Sequence, residues 1–145
     1  MSQPTSSPFR IGVAGCGAIG RNHVRIMAEL AANSGGSIVF AGIHDADTAR
    51  AEELAALHQV PVIPDLAAFA DAVDAATVAV PTVFHRPVGE VLLSKGRHVL
   101  VEKPITESYP EAQHLIRLAE ANNAILQVGH IERFNPVLRQ LEERL

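Results

Sequence analysis

The chain has 145 residues, of which 48% are apolar and 19% charged, as expected for one folded domain or one domain with a short part of a second. Its formal net charge of −4 argues against a basic surface for nucleic acid or an anionic membrane. The single cysteine, Cys16, excludes an internal disulfide, and no apolar run reaches the roughly 18 residues of a membrane span, so we expect a cytoplasmic protein.

The first eight residues are rich in Ser, Pro and Gln, which predicts a disordered tail over 1–8. From Phe9 onward, short apolar runs typical of strands alternate with stretches of helical periodicity. The predicted strands are Phe9–Ala14, Ile38–Ile43, Val60–Ile63, Ala76–Val80, Arg97–Glu102 and Ala124–Val128. The predicted helices are Ala18–Ala32, Ala49–His58 with Thr48 as N-cap, Leu66–Ala72 with Asp65 as N-cap, Pro87–Lys95, Ser108–Asn122 and an amphipathic stretch over Val137–Leu145.

This alternation predicts the fold class. Strands that are continuous apolar runs, separated by helices, indicate a parallel sheet covered on both faces. We therefore expect an α/β protein with a doubly wound parallel sheet, the Rossmann arrangement, of about six strands in the order 3-2-1-4-5-6.

Three glycines follow the first predicted strand and open the first predicted helix in the pattern G-x-G-x-x-G. Gly15 would allow a tight turn, Gly17 would let a pyrophosphate approach the backbone, and Gly20 would let helix and strand pack closely. The helix N-terminus offers N–H groups and partial positive charge to phosphates. The pattern predicts a dinucleotide site, the alternative being a purely structural turn. Cys16 occupies a small-residue position, either as a space filler or as a thiol activated by the helix N-terminus.

An acidic residue at the end of the second strand is the usual partner of such a loop, about 20 residues further on, where it binds the adenosine ribose hydroxyls. Asp45 lies 25 residues after Gly20, and the predicted loop Asn33–Ser37 explains the extra length. A carboxylate there repels a 2′-phosphate, which favours NAD as the coenzyme. Asp47 is the competing acid and is interpreted as a turn residue, whereas Arg50 could bind a 2′-phosphate and keeps NADP possible.

Glu102, Lys103 and Pro104 follow the fifth predicted strand, at the sheet edge where ligands of doubly wound proteins bind. The chain has two lysines against ten arginines, so a lysine at this point is unlikely to be random surface decoration. Pro104 keeps Lys103 out of helical geometry and can form a cis bond. Lys103 is therefore expected to point its ammonium group into the crevice, the alternative being a solvated lysine at a strand end.

Four segments together resemble the N-terminal domain of the Gfo/Idh/MocA oxidoreductases, in that family's order and spacing: GVAGCGAIGRNH, VAVPTVFHRPV, GRHVLVEKPIT and VGHIERFNPV. The second and fourth segments are most similar to members that act on nucleotide-linked or N-acetylated sugars, such as the UDP-N-acetyl-sugar 3-dehydrogenases. The resemblance implies NAD, or NADP, as cofactor and a hydride transfer to or from a sugar or nucleotide-sugar hydroxyl.

The resemblance also implies roles for individual residues. Lys103 would assist proton transfer at the reacting carbon, and His130, Arg133 and Phe134 would lie near the substrate. Coenzyme contacts would come from Gly15, Gly17, Ala18, Ile19, Gly20, Asp45, Pro81, Thr82, His85 and Glu102. His85 and His130 follow predicted strands and are expected to face the crevice, whereas His23 and His114 are interpreted as helix-surface residues. The seven histidines show no metal-ligand spacing, so no metal site is expected.

Members of that family carry a second, substrate-binding domain. By resemblance, 9–130 is the NAD(P)-binding domain and 131–145 the beginning of the second, so we expect this part alone to be inactive. Val137, Leu138, Leu141 and Leu145 form an apolar stripe that would normally be covered. A homo-oligomer is one further expectation. The alternative function is a stand-alone dinucleotide-binding sensor or interaction module that uses this stripe to recruit a partner.

Overall fold

The computed structural model describes residues 7–142, so residues 1–6 of the predicted tail and the end of the predicted stripe lie outside the described residues. One sheet of five parallel strands forms the centre: β1 (Phe9–Ala14), β2 (Ile38–His44), β3 (Ala75–Val78), β4 (His98–Val101) and β5 (Leu126–Val128). The strand order is β2-β1-β3-β4-β5. The predicted doubly wound α/β architecture is confirmed.

Helices cover both faces of the sheet. They are α1 (Gly20–Asn33), α2 (Thr48–His58), α3 (Leu66–Ala72), α4 (His85–Ser94), α5 (Tyr109–Ala121) and α6 (Pro136–Glu142), with 3-10 turns at Thr82–Phe84 and Ile131–Phe134. On one face, Val24 of α1 and Leu54 of α2 pack with Ile43 of β2. On the other face, Phe69, Leu92 and Leu115 form the core of the α3, α4 and α5 layer. Part of the sheet remains uncovered, since Ile11, Thr77 and Leu100 line an apolar cavity of about 290 Å³. Ligands of doubly wound sheets bind outside the carboxyl ends of the strands, so that edge is where a site is expected.

The predicted third strand, Val60–Ile63, is not a strand of the sheet. The segment lies beside β2, where the predicted order places it, but it forms a single bridge between Ile43 and Val62. The Ile43 N–H donates to Pro61 O at 2.9 Å and the Ile63 N–H to Ile43 O at 2.8 Å. Pro61 has no N–H with which to extend the ladder on one side, and on the other side Ile63 O lies 3.0 Å from the His44 ring Nδ1. The sheet therefore has five strands rather than six.

Several helix starts also differ from the predictions. Helix α1 begins at Gly20, two residues after the predicted Ala18, and α5 and α6 begin within one residue of the predicted position. The N-cap of α2 is Asp47, whose side chain accepts the Arg50 N–H at 3.1 Å, and Thr48 is the first helical residue. Helix α4 begins at His85, two residues before Pro87, because the 3-10 turn leads directly into it. Asp65 is the N-cap of α3 as predicted, accepting the Ala68 N–H at 2.7 Å.

Candidate functional site

The glycine loop connects β1 to α1 at the point where the chain order reverses, since β1 lies between β2 and β3. Gly15 has φ +101°, and a Cβ there would lie 2.5 Å from the backbone carbon of Ala79. A Cβ on Gly20 would collide with the carbonyl oxygen of Gly15. Both residues must therefore be glycine for the turn and the close helix contact to form.

Gly17 is different, because a Cβ there would meet no protein atom within 4 Å. The protein's own packing gives no reason for a glycine at this position. A ligand that approaches the backbone supplies one, and the start of α1 directs N–H groups to the same place. The space in front of Gly17 and the helix N-terminus thus fit the pyrophosphate of a dinucleotide.

Asp45 follows β2 and lies next to this loop, with 11% of its side chain exposed. Its Oδ2 accepts the Cys16 N–H at 2.6 Å, and its Oδ1 accepts the Asp47 N–H at 2.8 Å. These two bonds hold the carboxylate at one end of an open cavity of about 650 Å³ that Gly15, Gly17 and Ile19 also line. Asp45 thus lies in the cavity of the glycine loop, and Asp47 serves as the helix cap.

Cys16 lies fully buried under the loop. Burial, and secondly the negative charge of Asp45, raise the pKa of the Cys16 thiol to about 11. The idea of a thiol activated by the helix N-terminus is therefore wrong, because desolvation outweighs the helix dipole at this depth. Cys16 fills space in the core on the α1 and α2 face.

His85 occupies a less exposed place than the sequence suggested, with 1% of its surface accessible. Its Nδ1 lies 2.9 Å from Pro104 O, and its Nε2 lies 2.9 Å from Val80 O. Since carbonyl oxygens only accept, both contacts are hydrogen bonds when both ring nitrogens carry a proton. The ring ties the segment after β3 to the turn after β4. It also lines the cavity that Lys103 borders, so His85 forms part of the crevice wall.

Glu102 and His23 form a pair that the sequence analysis missed. The His23 Nε2 lies 2.9 Å from Glu102 Oε1, and each side chain is 18% exposed. Glu102 Oε2 also accepts the Lys103 N–H at 3.2 Å. The interpretation of His23 as a helix-surface residue was wrong. A signal was present, because His23 lies one helical turn after the tightly packed Gly20 and so shares its inner face.

Lys103 is exposed and follows Glu102 in the turn after β4, where the Lys103–Pro104 peptide bond is cis. It borders a cavity of about 480 Å³ together with Thr82, His23 and Glu102. This cavity shares four wall residues with the cavity at the glycine loop: Ile19, Ala79, Val80 and Pro81. One cleft therefore runs along the carboxyl edge of the sheet from Asp45 to Lys103. The other lysine, Lys95, is engaged elsewhere, with Asp71 at 2.7 Å.

Lys103 also borders a further cavity of about 640 Å³, beyond β5, that His130 and Arg133 line. His130 is exposed and Arg133 lies in the 3-10 turn that follows it. The structure thus brings together the predicted catalytic residue and the two predicted substrate residues. In α6, Val137, Leu138 and Leu141 are exposed, as the predicted stripe requires. The ring of Phe134 is also exposed.

Among residues 7–142, no cluster of three His, Cys, Asp or Glu side chains could hold a metal ion. No helix in the same range is long and apolar enough to cross a membrane.

The fold and the cleft define a class of protein that binds a dinucleotide at a glycine loop and presents a lysine at the other end. Comparison with known families agrees: residues 9–130 match the GFO_IDH_MocA family, described as "Oxidoreductase family, NAD-binding Rossmann fold". The chain belongs to this NAD-binding oxidoreductase family.

Two of the relatives are dehydrogenases named for a nucleotide sugar and for inositol. The UDP-N-acetylglucosamine 3-dehydrogenase of Acidithiobacillus ferrooxidans is 35% identical over 135 residues, which cover 93% of this chain and 41% of that protein. Inositol 2-dehydrogenase of Corynebacterium glutamicum is also 35% identical, over 95% of this chain and 41% of its own length. The chain therefore spans about two fifths of the length of these relatives.

Solved structures of other proteins superpose on this chain. The Acidithiobacillus ferrooxidans UDP-N-acetylglucosamine 3-dehydrogenase superposes with a TM-score of 0.86 at 34% identity, covering 94% of this chain and 43% of that chain. A 3-ketoreductase from Actinomadura kijaniata, solved in complex with NADP and TDP-benzene, superposes with a TM-score of 0.81 at 26% identity, covering 94% and 41%.

Proposed function

We propose that this chain is the coenzyme-binding part of an NAD-dependent oxidoreductase that transfers a hydride between nicotinamide and a hydroxyl of a sugar or nucleotide sugar. The observation that carries the proposal is the single cleft from Asp45, past the open face of Gly17, to Lys103. The names of the relatives, which include a UDP-N-acetylglucosamine 3-dehydrogenase and an inositol 2-dehydrogenase, support a sugar-like substrate.

In this proposal the coenzyme lies along the cleft with its adenosine end at Asp45. Gly15 to Gly20 bind the pyrophosphate through backbone N–H groups, with Ala18 and Ile19 at the start of the helix. Asp45 accepts hydrogen bonds from the hydroxyls of the adenosine ribose. Pro81 and Thr82 flank the middle of the cleft, and Glu102, oriented by His23, binds the ribose at the nicotinamide end. His85 forms part of the cleft wall, held by its contacts with Val80 O and Pro104 O.

Lys103 is the proposed acid–base group. The bound nicotinamide would accept or supply the hydride when the substrate carbon is oxidised or reduced. Lys103 Nζ would take the hydroxyl proton in one direction and return it to the carbonyl oxygen in the other. Its position between the coenzyme cleft and the cavity beyond β5 gives it access to both reactants.

Residues 131–142 would begin the substrate side of the whole protein. His130, Glu132 and Arg133 line the cavity that Lys103 borders. The two cations, Lys103 and Arg133, outnumber the one carboxylate there. Such a set favours a substrate that carries phosphate, because guanidinium and ammonium groups bind phosphate oxygens strongly. We accordingly divide the chain into a coenzyme domain over 9–130 and the beginning of a substrate domain over 131–145.

The substitution Lys103→Ala tests the proposal. In the whole protein, NADH affinity should stay within about tenfold, or about 1.4 kcal/mol, because Lys103 lies beyond the pyrophosphate and adenosine contacts. Turnover of the sugar substrate should be abolished. Calorimetry for binding and absorbance of NADH for turnover measure the two effects separately. Unchanged turnover would remove Lys103 from the mechanism, and NADH binding without oxidation of any sugar by the wild-type protein would favour the sensor function.

A further inference from the structure

Asp47 and Arg50 stand beside Asp45 at the adenosine end of the cleft. The Arg50 guanidinium lies 3.0 Å from Asp47 Oδ2 and 3.8 Å from Asp45 Oδ2. All three residues line the cavity that contains the glycine loop. The end of the cleft that would receive the ribose thus contains two carboxylates and one cation.

The two carboxylates are held in different ways. Both oxygens of Asp45 accept backbone N–H groups, so its direction is fixed towards the loop. Asp47 accepts the Arg50 N–H through Oδ1 as the helix cap, which leaves Oδ2 for the Arg50 guanidinium. Asp47 therefore contacts Arg50 twice, at the backbone N–H and at the guanidinium.

We propose that Asp47 is a specificity-determining residue, which favours NAD over NADP by holding and neutralising Arg50. This inference rests on the proposed function of the cleft. A 2′-phosphate on the adenosine ribose is an anion that a guanidinium binds well when its donors are free. While Arg50 is paired with Asp47, the three side chains carry one net negative charge and repel that phosphate. When the charge of Asp47 is removed, the Arg50 guanidinium is free to bind the 2′-phosphate.

The test is the substitution Asp47→Asn in this chain, with NADH and NADPH as probes. Asn is as good an N-cap as Asp, so α2 keeps its start while the ion pair is lost. Fluorescence titrations should show the ratio of NADPH to NADH affinity rising about fivefold, the scale of an exposed ion pair. Asp47→Ser, which also retains a strong capping oxygen, should give a shift in the same direction.

Two control variants separate this effect from simple loss of negative charge. Glu53→Gln neutralises another exposed carboxylate of α2, one that pairs with Arg21 at 3.6 Å, and it should leave the ratio unchanged. In an Arg50→Gln background, Asp47→Asn should change the ratio by less than about twofold, because the released cation is gone.

The outcomes distinguish this inference from the function on which it rests. The role of Asp47 is overturned if Asp47→Asn leaves the ratio of NADPH to NADH affinity unchanged, or if the shift is the same with and without Arg50. In either case, NADH binding by the wild-type chain leaves the proposed function intact. A wild-type chain that binds neither coenzyme overturns both.

Discussion

At the scale of single residues, backbone groups fix the two side chains that shape the cleft. Asp45 is held by the N–H groups of Cys16 and Asp47, and His85 faces the carbonyls of Val80 and Pro104. A side chain held by the backbone loses little further freedom when a ligand binds, so the cleft is already shaped for its coenzyme.

Cys16 offers a direct check on the packing beneath the glycine loop. Because burial raises the pKa of its thiol to about 11, the reactive thiolate is scarce at pH 8 in the folded chain. A disulfide reagent should react with the native protein at least about 100-fold more slowly than with the urea-unfolded chain at that pH.

The pH dependence of this reaction rate should also differ between the native and the unfolded chain. The native rate should keep rising through pH 10, whereas the unfolded chain should level off above the ordinary thiol pKa of 9.0. Equal rates for the folded and unfolded chains would mean that Cys16 is accessible and the loop does not cover it.

At the scale of elements, the site depends on how the segments after β3 and β4 are joined. His85 is the first residue of α4, and its ring connects Val80, which follows β3, to Pro104 and Ile105 in the turn that carries Lys103. A buried bridge of this type fixes the distance between two loops that belong to different strands.

The substitution His85→Leu should therefore lower stability. It keeps an apolar side chain in the core but leaves buried carbonyl oxygens without a donor, which costs about 1–3 kcal/mol of unfolding free energy. Urea denaturation measures the loss. The matched change His58→Leu, at the end of α2, should cost less than about 0.5 kcal/mol. Equal losses at the two positions would show that the His85 bridge contributes nothing specific.

Sequence patterns predicted the elements well where one local signal decides the structure. The run Phe9–Ala14 followed by three glycines defines β1 and its turn, and it gives the start of α1 to within two residues, without reference to the rest of the chain. Asp65 likewise caps α3 as its position indicates. The segment Val60–Ile63 has strand composition, but Pro61 has no N–H to extend the pairing beyond one bridge, and periodicity alone gives this residue too little weight.

Contacts between distant segments were harder to predict. His23 and Glu102 are 79 residues apart in sequence, and no local pattern links them. His85 contacts Pro104, which is 19 positions away in the sequence, through a backbone carbonyl. Backbone carbonyls are common to all residues and carry no sequence signal. Asp45 and Lys103 could be chosen as candidate residues because each follows a predicted strand. That they share one cleft depends on the order of the strands in the sheet.

At the scale of the whole molecule, the sheet places chemically different groups along one edge. The reversal of strand order around β1 puts Asp45, the glycine loop and the turn after β3 side by side, and β4 and β5 extend the edge to Lys103 and His130. A dinucleotide is long enough to use such an edge, and the family assignment agrees with that use.

The central claim is that this cleft binds NAD through the glycine loop, and Gly17→Val tests it most directly. A side chain at Gly17 meets no protein atom, so the unfolding free energy should change by less than about 0.5 kcal/mol. The same side chain occupies the path of the pyrophosphate, so NADH affinity, measured by fluorescence titration, should fall at least about 100-fold. A stable Gly17→Val variant that binds NADH as tightly as the wild-type chain would contradict the assignment of the loop, as would a wild-type chain that fails to bind NADH at millimolar concentration.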